Sequence, residues 1–168
     1  VISREVPTAR LKIVGPHSYW NRQPSPYYAD IRKSCDGNAR IELRGPTYVD
    51  HELAAIYRSA DVSVVPSTFP EALGLTALEA QASGVPIVVS DAGGLPETVA
   101  AGRSGLVFAN GNADQLGRAV VDLLKAPVRR AEMAIAAREW AMATFSWDVI
   151  AARLEEVYDE APAAPARG

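Results

Sequence analysis

The sequence predicts an α/β fold, a doubly wound sheet of parallel strands with helices on both faces. Two observations carry the prediction. Five short apolar or alternating runs, at residues 11–15, 40–44, 62–66, 86–89 and 106–108, are separated from one another by turns and mostly by segments of helical periodicity. Within residues 61–99, the run VSVVP is followed by a helix-forming segment and then by PIVV, with no charge in either strand. Strands buried on both faces read as continuous apolar runs. Two of them joined by a helix make a right-handed βαβ unit, and in open sheets of such units ligands sit at the strand carboxyl ends.

In chain order, residues 1–6 read as the tail of a helix, and the strand 11–15 ends at Gly15–Pro16. A polar, proline-rich loop follows at the strand's carboxyl end, near where a ligand would lie; His17 could touch one there, but solvation explains it more simply, as packing explains Tyr19 and Trp20. The helix 26–35 has proline in its first turn and Tyr27, Ile31 and Cys35 on one side. The strand 40–44 alternates charged and apolar residues, which places it nearer the edge of the sheet. Gly45 to Tyr48 form the next loop, and Asp50 is the candidate N-cap of a helix to Ala60 with Ile56 and Tyr57 on its apolar face. After the strand 62–66, Ser67–Leu73 is a loop and Gly74–Ala82 a helix with Leu75, Leu78 and Ala82 at steps of three and four, capped by Gly84. Gly93–Gly94 lead to a short helix at 95–100, and residues 102–105 turn into the strand 106–108. Three helices follow, at 113–124, 129–144 (after Pro127) and 147–158. One domain over residues 1–160 is expected, with the low-complexity tail 161–168 disordered.

Composition narrows the class of partner. The chain has 168 residues, 48% of them hydrophobic, enough for a sizeable core. Lys plus Arg is 17 against 20 for Asp plus Glu, and no basic run suggests nucleic acid; membrane association is expected to be peripheral at most. A single cysteine cannot form an internal disulfide. With neither a signal peptide nor an apolar span, a cytoplasmic setting is expected.

The chemistry concentrates in two carboxylates. Glu71 lies in the loop after one strand, and Glu79 lies about two turns into the helix that follows. Between them Gly74 permits close backbone approach, and the amides of Leu75 and Thr76 head the helix as unsatisfied donors at its positive end. A diphosphate fits such amides, and carboxylates on either side suit sugar hydroxyls because each offers two acceptor oxygens. Taken alone, the pair is also explained as a loop carboxylate and a solvated helix residue. Yet Glu79 stands among Leu78, Ala80 and Ala82, where a carboxylate calls for a partner.

The whole run PSTFPEALGLTALEAQASGVPIVVSDAGGLPE is more specific. It resembles the donor-site signature of the retaining, two-domain (GT-B) glycosyltransferases of the glycogen-synthase-like and sucrose-synthase-like group, family 4, glycosyl transferases group 1. The matching features are Pro-Ser, a glutamate, Gly-Leu, Leu-Glu-Ala, Gly-x-Pro and Gly-Gly-x-Pro-Glu, with seven residues between Glu71 and Glu79.

The resemblance implies a Rossmann-like sheet, one half of a GT-B fold. Its strand order is 3-2-1-4-5-6, and the central first strand has no counterpart in these residues, so a fragment truncated at its amino terminus is expected. The donor is then a nucleoside diphosphate sugar, bound as substrate without cofactor or metal. The implied catalytic residue is Glu71, holding the transferred sugar. Glu79 is assigned to the ribose hydroxyls, Gly74, Leu75 and Thr76 to the diphosphate, and Thr47 and Tyr48 to the base. Gly15, Gly93 and Gly94 are expected to border the donor along the same strand edge, where their backbone can approach it. A plain strand-to-helix turn explains Thr47 and Tyr48 equally, and the turn alone explains Gly93–Gly94. The family's upstream Arg and Lys have no match here, and the acceptor site belongs to the missing amino-terminal domain, so the isolated chain is expected to be inactive in transfer. Two other readings are a non-catalytic nucleotide-binding module or remnant, and a GT-B nucleotide-sugar epimerase. The epimerase fits less well, because the paired-glutamate run is the transferases' own.

Overall fold

A computed structural model describes residues 1–15 and 25–160. The loop containing His17, Tyr19 and Trp20 and the tail 161–168 lie outside the described residues. The elements are α1 (Ile2–Glu5), β1 (Leu11–Val14), α2 (Pro26–Cys35), β2 (Ile41–Arg44), α3 (Asp50–Arg58), β3 (Ser63–Val65), α4 (Leu75–Ala82), β4 (Ile87–Ser90), a 3-10 turn (Leu95–Thr98), β5 (Gly105–Phe108), α5 (Ala113–Lys125), α6 (Pro127–Phe145) and α7 (Trp147–Glu160).

Every strand pair is parallel, as the apolar runs predict. The sheet comes in two parts: β3-β4-β5 in that order, with Ser63 opposite Ile87 and Ile87 opposite Gly105, and β1-β2, with Leu11 opposite Ile41. β1 and β3 do not pair with each other. Each therefore carries one edge of backbone N–H and C=O groups outside any described ladder, where a sheet normally continues.

β4 is the centre of the core. Its alternate side chains face opposite sides, as the pleat requires. Ile87 and Val89 join Val65, Ala77, Ala80, Leu95 and Val99 beneath α4, and Val88 joins Phe108, Val120, Leu123 and Met133 beneath α5 and α6. Full burial of Ile87, Leu95 or Leu123 is worth about 1.5–3 kcal/mol each. Among the described residues, all the buried hydrophobic side chains lie between Val65 and Ala141, and none is in α1, α2, α3, β1 or β2.

Several boundaries differ from expectation for identifiable reasons. Asp50 is the first residue of α3 rather than its cap: Val49 holds the N-cap position with no side-chain bond. The carboxylate of Asp50 still stands at the positive end of the helix. α6 begins at Pro127 itself, because proline fits the first helical position, where no N–H is needed. The segment after Gly94 is a 3-10 turn of four residues rather than a helix to residue 100. α4 ends as expected at Gly84: the Gly84 N–H donates to the Gln81 carbonyl (2.8 Å) and the Val85 N–H to the Ala80 carbonyl (3.0 Å), a Schellman closure.

α6 secures this arrangement from outside. The Arg138 guanidinium donates to the Ala82 carbonyl at the end of α4, and the Trp140 indole donates to the Thr98 carbonyl at 3.0 Å. Arg130 donates to the last carbonyls of α5, Leu123 and Leu124, at 3.1 Å each and pairs with Asp61 at 3.0 Å.

Candidate functional site

The loops after β3, β4 and β5 are tied together at one edge of the three-stranded sheet. The fully buried Ser90 hydroxyl donates to the Ser67 carbonyl at 2.7 Å. The Asn110 side chain donates to the Thr68 carbonyl at 3.2 Å, while its N–H donates to the Asp91 carboxylate at 2.6 Å. This lacing holds the backbone from which Glu71 projects. The Ser67 hydroxyl, four residues ahead, donates to Glu71 Oε1 at 2.7 Å and orients the half-buried carboxylate. An acid with one oxygen engaged keeps its remaining lone pairs for other hydroxyl donors.

The glycines have a sharper role than the sequence suggests. Glu71 forms a parallel bridge with Gly93, and the Gly94 N–H donates to the Glu71 carbonyl at 2.7 Å. Gly93 has φ 61°, and a Cβ there would lie 2.6 Å from the Glu71 nitrogen; one on Gly94 would overlap the Ala72 carbonyl. The pair is needed because the Glu71 segment lies directly against it, so these glycines clamp the loop. Gly74 likewise caps α4 at φ 87°, where a side chain would run into fully buried Leu95.

Past Gly74, α4 opens without a side-chain cap. The Ala77 N–H donates to the Gly74 carbonyl, whereas the N–H groups of Leu75 and Thr76 have no acceptor among the described residues. Both side chains are exposed. One turn on, Glu79 is exposed, and its Oε2 accepts the Tyr57 hydroxyl from α3 at 2.9 Å. Tyr57 is the partner the carboxylate calls for. Burial first, and then the neighbouring carboxylate, hold its phenol above the ordinary tyrosine range, so it remains a donor at neutral pH.

The structure thus brings Glu71, Gly74, Leu75, Thr76, Gly93 and Gly94 together, with Glu79 on the flank of α4 that packs on α3. Gly15, Thr47 and Tyr48 stand at the corresponding end of the other sheet. The Gly15 N–H donates to the Arg44 carbonyl at 3.2 Å, the Thr47 hydroxyl donates to Glu52 at 2.9 Å, and Tyr48 is 86% exposed. Two open surface clefts lie elsewhere, one between α1 and α5 and one where α2 meets β2; neither includes a residue of the Glu71 loop or of α4. Ser67, Ser90 and Tyr57 escaped sequence reasoning. Only Ser67 left a signal, as the serine of Pro-Ser ahead of the glutamate.

The family profile of Glycosyl transferases group 1 matches residues 2–140. The chain belongs to that family. It is 39% identical over 157 residues to the D-inositol 3-phosphate glycosyltransferase of Corynebacterium aurimucosum, an alignment covering 92% of this chain and 36% of that protein. It is 35% identical over 164 residues to the GDP-mannose-dependent alpha-(1-6)-phosphatidylinositol monomannoside mannosyltransferase of Mycobacterium tuberculosis, covering 92% and 40%. Among solved structures, sucrose-phosphate synthase from Thermosynechococcus elongatus matches with a TM-score of 0.79 at 32% identity, over 93% of this chain and 39% of that one. Anabaena Alr3699/HepE, solved in complex with UDP, matches with a TM-score of 0.82 at 22% identity, over 92% and 42%, and shows the fold. As a group 1 member, the chain spans about two-fifths of the length of these relatives. No described helix is long and apolar enough to cross a membrane.

Proposed function

We propose that this chain is the donor-binding half of a retaining glycosyltransferase, moving a sugar from a nucleoside diphosphate to an acceptor hydroxyl. The observation that carries the reading is the pairing of an oriented glutamate with unpaired helix amides: Glu71 held by Ser67 beside the N–H groups of Leu75 and Thr76. Two relatives, a glycosyltransferase and a GDP-mannose-dependent mannosyltransferase, support the same class.

In this reading the sugar–phosphate bond breaks as the anomeric carbon gains oxocarbenium character, and the electron pair departs with the diphosphate. Leu75 and Thr76 donate to the departing phosphate oxygens, and preorganised donors of this kind are usually the largest catalytic term. Glu71 accepts from sugar hydroxyls and fixes the ring, while Glu79 accepts from the ribose. The Leu75 and Thr76 amides, with basic side chains supplied from outside these residues, take the place of a metal ion in balancing the diphosphate charge. Acceptor binding falls to a domain outside these residues, so transfer needs the longer protein. Orientation of two reactants contributes about 7–11 kcal/mol to such a step, and a chain holding only one of them forfeits it.

The test is an assay of residues 1–168 and of the longer protein with labelled nucleotide sugars and a panel of acceptors, with and without EDTA. The expected result is EDTA-insensitive transfer by the longer protein, with only slow donor hydrolysis by the shorter chain. Acceptor-dependent product from residues 1–168 alone would contradict the half-site reading.

A further inference from the structure

We propose that Tyr57 is a positioning residue for Glu79, its hydroxyl fixing the carboxylate in the orientation that receives the ribose hydroxyls of a nucleoside diphosphate. The inference rests on the reading of Glu79 as the ribose acceptor and adds the residue through which α3 acts on the site.

The geometry has three parts. Tyr57 lies in the last turn of α3, and its ring packs against the core cluster that contains Val65, Ala77 and Ala80. That packing fixes the direction of the phenol. Its hydroxyl reaches across the α3–α4 contact to Glu79 Oε2 at 2.9 Å. Glu79 itself is exposed, and among the described residues this is the one hydrogen bond its carboxylate makes.

An exposed glutamate without such a contact is a poor acceptor for a fixed diol. The terminal torsion of Glu is broad and roughly two-fold, so the carboxylate plane swings freely. Binding a vicinal diol then requires freezing a rotamer-rich side chain. A hydroxyl carried on a ring that packs against the core removes that requirement in advance. Donation to Oε2 occupies one acceptor position and leaves Oε1, with the rest of Oε2, for the 2′ and 3′ hydroxyls. Tyr57 donates throughout the neutral range, because burial and the carboxylate both favour its protonated form.

A purely structural role, a hydrogen bond joining two helices, would make Tyr57 matter for stability and equally for every ligand. The positioning role makes it matter for ligands that carry ribose hydroxyls. The experiment therefore measures calorimetric affinities of the protein and of its Tyr57→Phe, Glu79→Ala and doubly substituted forms. The ligands are UDP, GDP and ADP and their 2′,3′-dideoxy counterparts, and circular dichroism checks the fold.

Phe keeps the ring and its packing. Tyr57→Phe is expected to weaken the preferred ribonucleotide about three- to tenfold, a loss of about 0.7–1.4 kcal/mol, while leaving the dideoxy ligand unchanged. Its effect should vanish when Glu79 is already Ala, because neighbours acting as a unit are not additive. Equal weakening of both ligand types, no weakening of either, persistence of the effect in the Glu79→Ala background, or failure of Tyr57→Phe to fold would each overturn the positioning role. If the protein binds none of the ribonucleotides, the donor-site reading falls and this inference with it. If it binds them and Glu79→Ala weakens binding, but Tyr57→Phe does not, the inference alone falls.

Discussion

Glu71 is held in two separable ways, by the Ser67 hydroxyl on its side chain and by the Gly94 N–H on its carbonyl. Glu71→Gln keeps the shape, the backbone bond and one acceptor oxygen. It removes the charge that strengthens hydrogen bonds to developing partial charges. In the longer protein, turnover should therefore fall about ten- to a hundredfold, a barrier increase of about 1.4–2.7 kcal/mol. Donor affinity should change much less. Steady-state kinetics beside calorimetry measures both, and weakened affinity with turnover unchanged would make Glu71 a binding residue only. Tyr57 gives a prediction in pH. Its folded-state proton is held more tightly than in an unfolded chain, by burial and then by Glu79. The native state thus binds more protons wherever an ordinary tyrosine ionises. The stabilisation is fully present below about pH 10 and is lost as pH rises above that value towards the folded one. Denaturant unfolding of wild type and Tyr57→Phe should show a constant stability difference from neutral pH to about pH 10, shrinking beyond it. A difference that grows above that pH would contradict the contact.

Among the elements, the Gly93–Gly94 turn supports the site most directly. A Cβ at Gly93 meets the Glu71 backbone, and its φ of 61° is one that L side chains rarely adopt. Gly93→Ala should cost about 1–3 kcal/mol of stability from backbone strain, more where the Glu71 segment cannot retreat. It should also displace Glu71 and lower activity even in the protein that remains folded. Thermal unfolding with activity per folded molecule checks this; unchanged activity would mean that the clamp does not position Glu71. These elements also show what a sequence can and cannot reveal. β3, α4 and β4 were legible because two continuous apolar runs flank a helix whose apolar residues recur at steps of three and four. The glycine pair was legible as a turn, yet its reason for being glycine was not, since the segment it touches lies 22 residues earlier, from Gly93 back to Glu71. Tyr57 read as one more apolar-face residue because its partner sits on the next helix, and only packing brings them together. Asp50 had the composition of a cap, but the chain enters α3 at Val49 and the carboxylate falls one position inside.

At the scale of the whole molecule, the halves of the fold are unequal. The core surrounds β3, β4 and β5, while β1 and β2 form a separate parallel pair whose described residues bury no hydrophobic side chain. The five strands were legible. That β1 and β3 do not pair with each other followed from no local pattern. Of the proposed site, Glu71 and the opening of α4 rest on the well-packed half, whereas Thr47 and Tyr48 stand on the other. Donor binding at the head of α4 is therefore the claim on which the rest depends. Its most direct measurement is an amide NMR titration of the labelled chain with UDP, GDP and ADP to millimolar concentration. Saturable shifts are expected for at least one of them, largest at the N–H groups of Leu75 and Thr76 and extending to the Glu71 loop. Shifts confined to the cleft between α1 and α5, or none with any nucleotide, would contradict it.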